Sequence, residues 1–145
     1  MLFAKINQKD SEKVYVSVVN AEGATITAGL PVAYVVGATA TSMDGANAVI
    51  ANAAGDYPGF IGIAFKDIPR NGYGLVQTSG AVASMLLSNA GSSITITAGD
   101  PLVPAPVGFF SAAPAYANSG FKYVICGLTA TVSAASYVSG LIKQV

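Results

Sequence analysis

Asp44, Asp56, Asp67 and Asp100 are the carboxylates of this 145-residue chain that could pair for general acid and base work, one taking a proton while the other gives one. Each stands beside Gly, Pro or Ile in a turn context, where aspartate normally bonds its own backbone, so turn chemistry is the reading for all four. There is no histidine, which removes the Ser-His-Asp triad, Cys-His pairs and His-ligated metals or haem. The single cysteine, Cys126, lies in the apolar run Tyr123 to Leu128 with no cationic neighbour to favour a thiolate. It reads as a small buried hydrophobe and can form no intrachain disulfide.

Asn71-Gly72-Tyr73-Gly74-Leu75-Val76-Gln77 opens like a dinucleotide loop, but Gln77 stands at the third glycine position and a strand-like run follows, so no helix N-terminus awaits a phosphate. Neither a Gly-x-Ser-x-Gly elbow nor a Walker loop occurs. Asp44 to Asn47 offers too few oxygens for calcium, which takes about six to eight. The expectation is a protein that is not an enzyme, with no catalytic, cofactor-binding or metal-binding residues and no cofactor.

Seven basic and seven acidic residues leave no net charge, and charged residues make only 10% of the chain against about 25% in ordinary soluble domains. Without a basic cluster, neither nucleic acid nor an anionic membrane surface is an expected partner. The uncharged stretch from Asn71 to Gly99 has the length of a membrane span. It is interrupted by Gly72, Gly74, Gly80 and Gly91 and by Gln77-Thr78, so a membrane helix is not expected. The first residues lack the order of a signal peptide, which points to synthesis in the cytoplasm. With 52% hydrophobic residues and 16 glycines, some apolar surface must face a partner.

The elements that would position any site are strands. Val14 to Val19 alternates β-branched and aromatic residues, and similar signals recur at Pro31 to Val36, Phe60 to Phe65, Leu75 to Thr78, Ala81 to Ser88, Ile94 to Thr97, Tyr123 to Thr131 and Tyr137 to Lys143. Short strands at this spacing predict an all-β fold, a small β-barrel or β-sandwich. Ala46 to Ala54 and Ala112 to Ala117 are the helix candidates, though the first could equally be a strand. Thr27-Ala28-Gly29-Leu30-Pro31-Val32 returns as Thr97-Ala98-Gly99-Asp100-Pro101-Leu102, and Phe60 to Ala64 is echoed by Val124 to Leu128, which predicts two related β units closing one structure.

Residues 14–145 read as a single all-β domain. Residues 1–13, crowded with Lys5, Lys9, Asp10, Glu12 and Lys13, are either a first strand or an arm that offers Leu2 and Phe3 to a neighbouring subunit. In Phe109-Phe110, adjacent strand positions point to opposite faces, so one ring lies outside the core unless a loop covers it. Leu2, Phe3, Tyr57, Phe109, Phe110 and Tyr116 are therefore the candidate partner interface. Tyr57, Tyr73 and Tyr116 would stack on sugars if the chain were instead a β-rich adhesin or fibre-type module binding a receptor or glycan.

Ala28-Gly29-Leu30-Pro31-Val32, Gly62 to Ile68, Gly72-Tyr73-Gly74-Leu75-Val76, Gly80-Ala81-Val82 and Ala98 to Val103, in this order, resemble the pattern of tailed-bacteriophage capsid decoration, or cement, proteins. Val124 to Thr129 is similar to that family's C-terminal strand, while the insert Met43 to Gly59 and Thr129-Ala130 depart from it. The resemblance covers residues 14 to 142. It implies a small β-barrel or β-sandwich that acts as a homotrimer on the outer capsid surface of the virion, binds the major capsid protein, and bridges neighbouring capsomers to stabilise the head.

Overall fold

The period-two run of Val14, Val16 and Val18 against Tyr15, Ser17 and Val19 forms β1 (Val14–Asn20). The computed structural model of the chain describes residues 13–35, 47–52, 59–87, 94–105, 108–111, 123–126, 130–132 and 136–143. Among them the regular structure is β throughout. It continues with β2 (Pro31–Tyr34), β3 (Asn47–Ile50), β4 (Phe60–Ala64), β5 (Tyr73–Leu87), β6 (Ile94–Ile96), β7 (Pro101–Ala105), β8 (Gly108–Ser111), β9 (Tyr123–Cys126), β10 (Ala130–Val132) and β11 (Ser136–Lys143).

The strands close into two five-stranded rings that share β5. The first runs β1-β3-β2-β4-β5 and is shut by the β1–β5 pairing; the second runs β5-β8-β7-β9-β11 and is shut by β5–β11. The first and third strands of each ring are parallel, β1 with β3 and β5 with β8, and all other neighbours are antiparallel. The all-β fold and its two related units are thus present, but each unit closes a ring of its own where one shared closure was expected, and β5 serves as last strand of one unit and first strand of the next.

Register aligns the units residue by residue. Pro31 faces Ile63 as Pro101 faces Ile125, and the lone bridge Ile26 to Ile68 matches Ile96 to Ala130 in the β6–β10 pair. The repeated turns are the same turn: Leu30 N donates to Thr27 O at 3.2 Å and Asp100 N to Thr97 O at 3.0 Å, with Gly29 and Gly99 at φ 85° and 94°. A positive φ at the third position of such a turn is what selects glycine. The second echo sits three residues off the sequence match, because Val32 faces Gly62 where Leu102 faces Val124, so Gly62 corresponds to Val124 and not to Gly127.

Three further readings are corrected. The signals at Leu75 to Thr78 and Ala81 to Ser88 are one 15-residue strand bent at Gly80, whose φ is 91°. Tyr123 to Thr131 divides into β9 and β10, and β7 falls where no strand signal was read, in a stretch holding Pro101 and Pro104, while β8 contains the Phe109-Phe110 pair already read as strand positions. Ala46 to Ala54, open between helix and strand, contains β3; Ala112 to Ala117 lies outside the described residues.

Each barrel has its own core. Val18, Ile26, Leu30, Val32, Ala48, Ile61, Ile68 and Val76 fill the first. Val82, Met85, Leu87, Ile96, Leu102, Val124, Val138 and Ile142 fill the second, joined by Ala33, Phe60 and Ile63 from the outer faces of β2 and β4. All five residues of β4 are buried, so this strand packs on both sides and ties the barrels together.

At the bend, buried Gln77 donates through Nε2 to Ser79 O at 3.1 Å and to Ala81 O at 2.9 Å, the carbonyls that flank Gly80. Gln77→Leu keeps most of the volume but removes both bonds. The expected loss is about 2 kcal/mol, read from the urea midpoint, at about 1 kcal/mol per net hydrogen bond. An unchanged midpoint would show that the amide does not hold the bend.

Candidate interface on the first barrel

Of the four candidate aspartates, Asp44 and Asp56 lie outside the described residues. Asp100 Oδ2 accepts from Thr97 N at 2.8 Å inside its own turn, whereas Asp67 Oδ1 accepts from Ala28 N, 39 residues away, also at 2.8 Å. Asp67 thus ties the first repeated turn to the segment after β4 instead of bonding its own backbone. Among the described residues no group of three or more His, Cys, Asp or Glu is placed to hold a metal, and no helix is long and apolar enough to cross a membrane. A hollow of ≈ 110 Å³ between Lys13, Phe65, Gln77 and Ser84 is far below the several hundred Å³ of a cofactor site.

What the surface offers is apolar. Tyr15 and Ser17 on β1 lie beside Gln77 and Leu75 on β5, and Phe65, directly after β4, donates its N–H to Leu75 O at 3.0 Å. The Tyr15 and Phe65 rings meet edge to face across β5, with centroids 5.2 Å apart and planes at 69°. Lys66 Nζ lies 5.8 Å from the Phe65 centroid. Phe65 is nevertheless 48% exposed and Leu75 47%, on a protein with few charges to spare. Tyr73, the next outward residue of β5, is 78% exposed. Aromatic rings that hold each other in place while facing water form a pre-organised contact surface, because little side-chain entropy remains to be lost on docking.

This face was not legible as a site. Tyr15 and Leu75 stood in the sequence as members of alternating runs, and the signal that marks them is apolar character on both faces of a strand that has only one buried side. Of the residues singled out earlier, Tyr73 is exposed as the glycan alternative required. Leu2, Phe3, Tyr57 and Tyr116 lie outside the described residues. Phe109 and Phe110 are placed on β8 by backbone pairing with Pro104 and Val103, and Phe109 also faces Leu87 where β8 meets β5.

No family model matches the chain, and no curated protein matches it. Among solved structures it is similar to the crystal structure of the head fibre gp8.5 N base of bacteriophage phi29. The likeness spans 91% of this chain and 95% of that one, with a TM-score of 0.50 and 16% identity. At that identity it establishes the fold: this small all-β architecture is one that a phage head fibre base also adopts.

Proposed function

We propose that the chain is a structural protein of a phage head, attached to the outer capsid surface through the Tyr15, Phe65 and Leu75 face and seated on the major capsid protein. The observation that carries this reading is the near full-length likeness to a head fibre base. The exposed apolar face supplies the contact chemistry, and the order of motifs that resembles decoration proteins supports the same location. In its decoration form the protein acts as a homotrimer, is made in the host cytoplasm, bridges capsomers and carries no enzymatic activity. A second reading, the base of a head fibre, is favoured by the name of that same structure.

The test mixes the purified chain with heads that lack it and measures cosedimentation and the melting temperature of the shell. Binding with a raised shell melting temperature supports decoration; binding without it supports the fibre base; no binding overturns both. Because net charge is zero, attachment is expected to persist from about 0.05 M to about 1 M salt, since screening removes only charge attraction and apolar burial survives it. Phe65→Ser is expected to weaken attachment roughly tenfold or more, the loss of one anchor of about 2 kcal/mol. Release at high salt together with an inert Phe65→Ser would assign attachment to charge and not to this face.

A further inference from the structure

The turn that leads into β5 reads Pro69-Arg70-Asn71-Gly72, and its geometry leaves little choice at the last two places. Asn71 stands at φ 56°, in the left-handed region that glycine, asparagine and aspartate enter at least cost. A Cβ on Gly72 would lie 2.7 Å from Pro69 Cγ and 3.0 Å from Pro69 O, so glycine alone fits without moving the proline. The turn thus holds a dipeptide whose two members can react with each other, a side-chain amide next to a peptide nitrogen that no following Cβ shields. Of the asparagines in the chain only Asn71 precedes a glycine.

The reaction is an acyl transfer within the backbone. Hydroxide takes the Gly72 amide proton, the nitrogen attacks Asn71 Cγ, the N–Cγ bond forms as Cγ–Nδ2 breaks, and Nδ2 leaves as ammonia after taking a proton from water. The five-membered imide then adds water. Opening at Cγ gives aspartate; opening at the Asn71 main-chain carbonyl gives isoaspartate, whose backbone runs through Cβ and Cγ. Overall, water is consumed and ammonia released.

The folded turn withholds the nucleophile. Gly72 N donates to Pro69 O at 2.8 Å, and the Asn20 backbone holds both flanks, accepting from Asn71 N at 3.0 Å and donating to Gly72 O at 2.9 Å. While these bonds stand, the Gly72 proton is engaged and the peptide plane is fixed, so the nitrogen cannot turn toward Cγ into the attack geometry the step needs. Asn71 is exposed, so water and hydroxide have access and the backbone alone is the barrier.

We infer that Asn71-Gly72 is a self-modification site, converting through the imide to aspartate and isoaspartate at a rate set by how often the turn at Pro69 to Gly72 opens. Buried Asn20, fastened through Nδ2 to Ala24 O and Ile68 O, keeps that turn shut. Isoaspartate adds one backbone atom between Asn71 N and Gly72 O, the two groups that bond Asn20, so both bonds cannot re-form at the first barrel's end. The inference concerns this chain alone and does not rest on what it binds.

The test incubates the parent chain at mildly alkaline pH, folded in buffer and unfolded in guanidinium chloride. Peptides from an acid-protease digest are read by mass spectrometry and by enzymatic methylation of isoaspartate. Product at position 71 is expected to form roughly tenfold or more slowly in the folded chain, the ratio set by local opening. At denaturant below the unfolding midpoint, its rate should rise in step with hydrogen exchange of the Gly72 amide, because both need the bond to Pro69 O broken. Asn20→Leu should react faster than the parent in buffer, and Asn71→Gly, which accepts the left-handed φ but carries no amide, should give no product at that position. The denaturant series needs only the parent chain, so it decides the matter even if Asn20→Leu does not fold. A folded chain that reacts as fast as the unfolded one, no product at position 71 in denaturant, or a rate that ignores Gly72 exchange would each overturn the inference.

Discussion

Gly62→Ala is expected to destabilise the protein by about 3 kcal/mol, the upper end of the cost of forcing extra atoms into a packed site. A Cβ at Gly62 would stand 1.9 Å from Gln77 O, 2.8 Å from Gln77 C and 3.1 Å from Thr78 Cα, all of them backbone atoms that no rotamer change can move aside. β4 cannot retreat, because it pairs with β2 on one side and β5 on the other and its residues are buried on both faces. Gln77 cannot yield without loosening its bonds to Ser79 and Ala81 at the bend between the barrels. A loss of this size should lower the thermal midpoint by ~10 °C in a chain of this length. Gly23→Ala, with open space around the new Cβ and no positive φ, sets the baseline at about 0.5 kcal/mol or less. If the two substitutions cost the same, the close approach of β4 to β5 is wrong.

The same glycine shows where the sequence could be read and where it could not. The repeat was visible because the turn between its strands needs a left-handed glycine followed by a residue and a proline, and only a few residue types satisfy that geometry. Gly29 and Gly99 therefore survive as a recognisable pair. β4 and β9 have no such requirement, so Gly62 and Val124 share a place without sharing a residue type, and the eye slips to Gly127. Gly80 was misread for the opposite reason. Inside a strand a glycine ordinarily signals an end, and here it lets one continuous strand turn from the first ring into the second. The interface was hidden by closure itself. Alternation shows that Tyr15 and Leu75 point away from Val16 and Val76, but both faces of these runs are apolar, and which one lies inside depends on how the ring closes.

Asn20→Leu should cost about 3 kcal/mol even though leucine is what the second unit carries at the equivalent place. Asn20 and Leu87 are both fully buried and occupy matching positions beside the third strand of their rings. Leu87 packs among apolar neighbours in the second core. Asn20 instead holds three polar groups: Nδ2 donates to Ala24 O and to Ile68 O, each at 2.8 Å, and Oδ1 accepts from Glu22 N at 2.7 Å. Its backbone pairs with the turn at Pro69 to Gly72, taking Asn71 N at 3.0 Å and giving its own N–H to Gly72 O at 2.9 Å, so one residue fastens the loops on either side of the first barrel's end. Glu22, positioned by that amide, accepts from Ile50 N at 3.1 Å and steadies β3 in turn. At about 1 kcal/mol per net hydrogen bond, three lost bonds outweigh what the added apolar side chain regains, because the site is shaped for a planar amide. Hydrogen exchange localises the effect: Glu22, Ile26 and Asn71 should lose protection first, while amides of β11 that pair with β5 keep theirs, since the second barrel contributes its own core. Uniform loss of protection across β1 and β11 would instead show that the two barrels unfold as one unit, with Asn20 supporting both.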